Sequence, residues 1–566
     1  MFRHRALRHA VVLCALIGTS FFTGPSTAPV AAAPAPLTSS ELSHRLTAEV
    51  MGYLPYWELN DRTVGNLDYN RLTTIAFFSV GWDSAGHLVT SAPGYTALMS
   101  TRATTVINAA HAAGVRAIVS FTSFGSAKNA AFFGTSTAAS TARSTFIREA
   151  AALVVSRGLD GADLDVELIS GTYFGAYAST AGRLTSRMRQ TNSIAYSTVA
   201  TNANVSGARM ASRALAAGVS RAFMMGYNYR TALASPVGSI DPRVRAGGGL
   251  SLSTSLDLYA DEGAPLGRVL LGLPFYGRTW QTVDTRMRAT RVSGTKGVVF
   301  LIRNLSALRT QGTVLASDYD TVESSARLVR RVDGKIYQTY YDSTRSLAAK
   351  FALVYSRHLA GIGFWTLGYE GGSDSYWNLV GKTFGPPVIS SVRVRPSPSN
   401  TRHVRVFTTW ADHDHPATLM RLANAGTGIW TSWRTISSNT WLTLPASSVP
   451  VRRTIRVQLR DSAGALSAIK SATVYYDPVK PKMTRLTLWW STTASAWRIR
   501  YAATDVGSGV ASYRIRIYRN GAWTVVQPER TTSTYTIRLP HSANFKVGVA
   551  AHDRASNISV GLYRSS

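Results

Sequence analysis

Four acids fall within eight positions, in Asp160-Gly161-Ala162-Asp163-Leu164-Asp165-Val166-Glu167. A chain with only 30 Asp+Glu among 566 residues seldom places them so densely. Side chains alternate between the two faces of a strand, so Asp163, Asp165 and Glu167 project to one side, and Leu164 and Val166 to the other. Crowded carboxylates repel, so at least one of the three keeps its proton at an unusually high pH. A carboxyl group still protonated near neutrality can act as a general acid. The plain alternative is a solvent-facing edge strand with surface acids. It fits poorly here, because an apolar helical stretch precedes the segment and loop residues follow it at once. Asp160 has the opposite parity, which suits a structural role at the start of the strand.

A strand of this kind needs a scaffold that buries one face and opens the end of the other. From Glu49 onward, short β-rich runs alternate with Ala- and Arg-rich stretches of helical spacing. The runs are 50–56, 74–80, 116–121, 161–168, 194–201, 221–227, 269–275 and 361–367, with helices such as 104–113, 144–157 and 346–359 between most of them. Eight β runs spaced in this way predict a closed (β/α)8 barrel over 47–384. Residues 282–340 exceed a simple connection and predict a small α+β insertion after the seventh strand. At Gly385-Pro386-Pro387 the helical periodicity stops and short alternating strands take over: 392–395, 403–407, 453–459 and 473–476, then 486–490, 497–502, 512–518, 535–539 and 545–550. The expected result is two all-β immunoglobulin-like sandwiches, 386–477 and 478–566. A weak repeat supports the pair, since Leu459-Arg460-Asp461-Ser462-Ala463-Gly464 aligns with Ala551-His552-Asp553-Arg554-Ala555-Ser556.

The N-terminus reads as an export signal over 1–32, with a linker at 33–46. Arg3, Arg5 and Arg8 precede an apolar run at 10–22 that is too short for a stable membrane anchor, and Val30-Ala31-Ala32-Ala33 offers a cleavage site. A secreted protein that is not embedded in a membrane is expected. The one cysteine, Cys14, lies inside that signal, so the mature chain would have no disulfide, thiolate metal site or cysteine nucleophile. The formal net charge is +31, and residues 386–566 hold 24 Lys+Arg against 7 Asp+Glu. A genome rich in arginine codons would explain this excess, and so would attraction to anionic polymers of a cell wall. No nucleic-acid-binding signature accompanies the charge. No cofactor or metal is implied. Asp412-His413-Asp414-His415 reads as a solvated loop rather than a divalent-ion site. A monomer is expected.

Asp160-x-x-Asp163-x-Asp165-x-Glu167 resembles the DxxDxDxE signature of glycoside hydrolase family 18, whose members include chitinases and wall-directed enzymes. Further strings agree in order: Gly52-Tyr53-Leu54-Pro55-Tyr56-Trp57, Met224-Met225-Gly226-Tyr227-Asn228-Tyr229, Leu271-Gly272-Leu273-Pro274-Phe275-Tyr276-Gly277-Arg278, Tyr341-Asp342 and Gly363-Phe364-Trp365. They are similar to the spore-cortex and wall hydrolase subgroup. The resemblance implies substrate-assisted retaining hydrolysis of polysaccharides containing N-acetylglucosamine. Glu167 would protonate the leaving oxygen and Asp165 would hold the acetamido N–H. Asp163 would tune Asp165, and Tyr227 would donate to the acetamido oxygen. Trp365 would form the apolar floor under the sugar, with Tyr53, Met225, Asn228 and Tyr276 as further binding residues. Two departures stand out. Asn228 replaces the usual Asp, and Ser120-Phe121-Thr122-Ser123-Phe124-Gly125 replaces S-x-G-G, so that Phe121 or Phe124 is expected to narrow that side of the cleft. A non-catalytic chitinase-like lectin is the alternative function. The Trp-bearing sandwiches (Trp430, Trp433, Trp441, Trp489, Trp490, Trp497, Trp523) would either bind polysaccharide or act as a spacer.

Overall fold

The computed structural model describes residues 35–42, 46–411, 416–424, 428–462 and 464–566. The expected export segment and the His413/His415 string lie outside the described residues. The first seven strands are β1 (Glu49–Pro55), β2 (Thr74–Gly81), β3 (Arg116–Phe124), β4 (Gly161–Glu167), β5 (Tyr196–Asn202), β6 (Arg221–Met225) and β7 (Val269–Pro274). Five more form an insertion: β8 (Tyr276–Thr282), β9 (Val298–Leu301), β10 (Thr313–Asp320), β11 (Ser325–Val332) and β12 (Lys335–Tyr341). The last strand of the wall is β13 (Gly361–Trp365). The parallel barrel closes in the order β1-β13-β7-β6-β5-β4-β3-β2. Among the described residues, no helix is long and apolar enough to cross a membrane.

Strand parity divides the barrel into two apolar layers. Leu164 and Val166 face the surrounding helices in the large outer core. Met51, Tyr53, Phe78, Phe223 and Leu270 fill the interior. Phe223 sits centrally because β7 and β13 present glycine to it. A Cβ on Gly272 would lie 2.4 Å from Cε1 of Phe223, and one on Gly363 would lie 2.3 Å from Cε2. Neither position tolerates a side chain while the ring keeps its place.

Several expected boundaries shift, two of them beside the cleft. The sixth strand ends at Met225, not at 227: the Tyr227 N–H turns back to the Met225 carbonyl (2.9 Å) and Asn228 takes a left-handed φ of 62°. The insertion begins at Tyr276, not at 282. The chain leaves the barrel at Pro274 but stays extended and pairs Arg278 with Tyr340, a partner too remote in the chain for local pattern to reveal.

The insertion is locked to the barrel by buried ion pairs. Glu323, in the turn between β10 and β11, receives both terminal guanidinium nitrogens of Arg230 at 2.7 and 2.6 Å, and both residues are almost fully buried. The same carboxylate accepts the N–H groups of Ser239 (2.9 Å) and Ala246 (3.1 Å). Lys350, on the helix Thr344–Ser356, bridges Asp241 and Asp342 at 2.5 Å each. These contacts fix the long loop that follows β6.

The C-terminal strands are β14 (Val388–Arg395), β15 (His403–Ala411), β16 (Ala417–Asn424), β17 (Arg434–Thr435), β18 (Asn439–Thr443), β19 (Val451–Asp461) and β20 (Lys470–Tyr476), followed by β21 (Lys482–Ser491), β22 (Ala496–Thr504), β23 (Val510–Arg519), β24 (Ala522–Arg530), β25 (Thr534–Ile537), β26 (Lys546–Asp553) and β27 (Leu562–Ser565). Each group of seven forms a three-stranded and a four-stranded antiparallel sheet around its own core, the strand count of an immunoglobulin-type sandwich. The repeated Asp performs one task in both. Oδ1 of Asp461 accepts the Ala465 N–H, and Oδ1 of Asp553 accepts the Asn557 N–H, at 2.8 Å each. Asn557 also donates to the carbonyls of Asp477 and Val479, joining the second sandwich to the connecting segment.

Removing Glu323 would leave a buried, unpaired guanidinium, a loss of about 3–5 kcal/mol. Glu323→Ala is expected to lower barrel stability by that order in urea unfolding, and to speed amide exchange across 230–246 in hydrogen-exchange mass spectrometry.

Candidate active site

The acidic strand β4 lies between β3 and β5, with Asp163 opposite Ser120 on one side and Thr198 on the other. Asp163 is fully buried. Its Oδ2 accepts from Ser120 Oγ (2.7 Å) and Tyr53 Oη (3.1 Å), and its Oδ1 accepts from Thr198 Oγ1 (2.6 Å). Three hydroxyl donors favour its ionised form, while burial, the largest influence, pushes its pKa up.

Asp165, one step further along the same face, has no such support. Its Oδ1 is sealed from solvent and accepts no hydrogen bond. Burial raises its pKa well above the usual carboxylate range, and the charges of Asp163 and Glu167 raise it further. Glu167, half-buried at the carboxyl end of the strand, has its pKa raised by burial. The hydroxyl donors thus favour the ionised form of Asp163, whereas Asp165, which lacks them, is pushed further toward its protonated form. Glu167 stands at the opening, in the position for exchanging a proton with a bound molecule. Asp160 plays the structural part anticipated from its parity: its carboxylate accepts the N–H groups of Leu37 and Ala117 at 2.7 Å and contacts His111 Nε2 at 2.9 Å.

A cleft of about 620 Å³ opens above these groups. Asp165, Glu167, Tyr53, Met225, Tyr227, Asn228, Tyr276 and Trp365 all line it; Asp163 lies beneath. Trp365 is flanked by Phe78, with ring centroids 4.7 Å apart, and by Tyr53 at 5.4 Å. The result is an aromatic wall beside the carboxyl groups. On the other side, Asn228 Oδ1 accepts from Tyr276 Oη (3.0 Å) and Arg278 (3.3 Å), both on β8. Of the two phenylalanines considered on β3, Phe124 lines the cleft and is 47% exposed. Phe121 does not: its parity turns it toward the helices, where its ring meets Phe146 at 5.5 Å.

Several contributors have no signature in the sequence. Phe78, Asn202, Asn204, Arg245 and Leu250 also line the cleft, beside Tyr229 from the Met224–Tyr229 string. Asn129 is fully buried and donates from Nδ2 to the Glu167 carbonyl at 2.6 Å, fixing the end of the acidic strand. The signal for Asn129 was faint: a lone amide in the Ala- and Phe-rich helix Ser126–Phe133.

Barrel and cleft together define a class: a (β/α)8 protein that carries a graded carboxyl triad at the carboxyl end of its fourth strand, facing an aromatic-lined groove. Residues 49–370 match the family described as Glycosyl hydrolases family 18, and the chain belongs to that family. A segment is 33% identical over 131 residues to Probable chitinase 2 of Drosophila melanogaster, covering 21% of this chain and about a quarter (27%) of that relative. The fold is similar to a family 18 chitinase of Cycas revoluta solved with (GlcNAc)3, at TM-score 0.50 and 17% identity over 59% of this chain and 98% of that one. The spore cortex-lytic enzyme of Bacillus cereus matches at TM-score 0.47 and 15% identity, over 59% of this chain and 73% of that one.

A carboxyl group with a raised folded-state pKa binds its proton more tightly when folded, so its contribution to stability is present at low pH and is lost as pH rises through that pKa. Asp165→Asn is therefore expected to raise the unfolding temperature at pH 7, by about 2 °C or more, and to give little advantage at pH 3. Thermal scans at the two pH values check the difference.

Proposed function

We propose that this protein is an exported glycosidase that cleaves β-linked glycans containing N-acetylglucosamine, such as chitin or peptidoglycan, by substrate-assisted retaining hydrolysis. The observation that carries the reading is the gradient along β4: Asp163 bonded by hydroxyls, Asp165 without such donors and with its pKa pushed well up, and Glu167 at the opening with its pKa raised. Glu167 delivers its proton to the glycosidic oxygen as that bond breaks. The carbonyl oxygen of the substrate's 2-acetamido group attacks the anomeric carbon from the opposite face, so no second carboxylate is needed as nucleophile. Asp165, which lines the cleft, accepts the acetamido N–H. Its own proton then passes toward the ionised Asp163, which leaves a negative charge beside the developing positive one. Tyr227 Oη donates to the acetamido oxygen, and Trp365 supplies an apolar floor for the sugar ring. Water opens the resulting oxazolinium ion, with Glu167 now acting as base.

Asn228 contributes an amide where an acidic group is usual in the family. Its Oδ1 is already engaged by Tyr276 and Arg278, so its role is to hold the rim of the cleft without adding charge near Glu167.

Glu167→Gln keeps the shape of the cleft and removes the transferable proton. Product release from chitin oligomers or peptidoglycan, followed by mass spectrometry, is expected to fall by about 10²–10⁴-fold while oligosaccharide binding by calorimetry persists. If the wild type binds but releases nothing from either polymer, the protein is a lectin and the proposal fails. Because burial raises the Glu167 pKa, its proton-bearing form persists above the ordinary glutamic acid range, near 4.3. The alkaline limb of kcat/KM is expected above that value, and Glu167→Gln should abolish the limb.

A further inference from the structure

The second sandwich carries an organised aromatic and cationic face far from the barrel in sequence. In its four-stranded sheet, ordered β24-β23-β26-β27, Ile515 of β23 points into the core while Arg514, Arg516 and Tyr518 point outward. Cross-strand register gathers their neighbours on the same face. Tyr518 is opposite Trp523 and Lys546, Arg516 is opposite Gly548, and Gly548 is opposite Tyr563. Ring centroids of Tyr518 and Trp523 lie 5.4 Å apart, and those of Trp523 and Tyr563 lie 5.5 Å apart. The Arg516 guanidinium sits over the Trp523 ring at 5.2 Å and donates to Tyr563 Oη at 3.1 Å.

Gly548 is the floor of this arrangement. A Cβ at that position would come within 2.7 Å of Tyr563 Cε1 and 3.3 Å of Trp523 Cζ3, so the absence of a side chain lets both rings lean over the sheet. Trp523 and Tyr563 nonetheless remain 39% and 45% exposed. Large rings held in a fixed geometry yet left in water mark a surface made for contact. The C–H faces of a pyranose ring fit such a platform. The charge of the face narrows the choice of ligand. Arg514, Arg516 and Lys546 share it, and Glu529 acts at its far end, on His552. Residues 386–566 as a whole hold 24 Lys+Arg against 7 Asp+Glu.

We propose that this face binds an anionic polysaccharide, with a sugar ring on Trp523 and Tyr563 and a phosphate or carboxylate group on Arg516 and Lys546. The site lies outside the barrel and does not depend on what Glu167 does. The full chain would be run in affinity electrophoresis through gels containing a polyuronate, a phosphodiester-bearing polysaccharide or a neutral glucan, at low and at 0.5 M salt (about a 4–5 Å screening length). Retardation of the wild type by one or both anionic polymers, and not by the neutral one, is expected, and the arm that responds identifies the anion. Trp523→Ala is expected to weaken it by about tenfold or more. Arg516→Gln should reduce the salt dependence, and Gly548→Ala, which displaces the rings without removing any, should weaken binding as well. Three results would overturn the inference: no retardation of the wild type by either anionic polymer, equal retardation by the neutral glucan, or Trp523→Ala behaving as the wild type.

Discussion

Three carboxyl groups on one buried face of one strand cannot all be ionised, and much of the barrel's interior answers that constraint. Asp163 is made affordable as an anion by hydroxyls from three other strands, Tyr53 on β1, Ser120 on β3 and Thr198 on β5. Asp165 is left without such support, and burial beside two other carboxyl groups pushes its pKa up. Glu167 is placed where the barrel opens, with its backbone carbonyl pinned by Asn129. Because the three donors to Asp163 come from different strands, the charge order along β4 exists only once the barrel has closed. Fold and chemistry are in this sense one assembly.

The parts of the molecule governed by local periodicity were legible in the sequence. Alternation along 161–167 gave the shared face of the acids, and the eight β runs gave the barrel. The sixth strand ended early at a local turn at Tyr227 and Asn228, whereas the insertion began early because long-range pairing overrode local pattern. β8 follows β7 after one residue and is defined by its partner β12, some sixty residues further on. Two of the groups that sequence reading missed act through a partner remote in the chain. Asn129 serves Glu167, and Glu323 serves Arg230, and neither pair lies within a single element. Phe121 and Phe124 show the reverse case. The substitution in their segment was visible, and strand parity decides which one meets the cleft. In the sandwiches the Asp-led turns were readable because Asp461 and Asp553 each close a loop of four residues. The unpredicted strands, such as β16 and β24, lack clean alternation and are held by their neighbours.

The aromatic residues divide by what surrounds them. Phe223 has glycine on two adjacent strands and becomes the plug of the barrel. Trp365 has Phe78 and Tyr53 at its edges and an open groove above, and becomes a wall. Trp523 has Gly548 beneath it and solvent beyond it. The same residue class thus fills, lines or projects according to its immediate neighbours, a choice that composition alone does not convey.

Glu323 reaches from the insertion into the loop that borders the cleft and organises it through a guanidinium and two backbone N–H groups. The insertion is therefore not an interchangeable appendage. A lineage that shortened or replaced it would also have to rebuild the adjoining rim of the groove, so the two segments are bound to diversify together, and a chimera that joins this barrel to a foreign insertion inherits a collapsed edge unless a carboxylate arrives at the same spot.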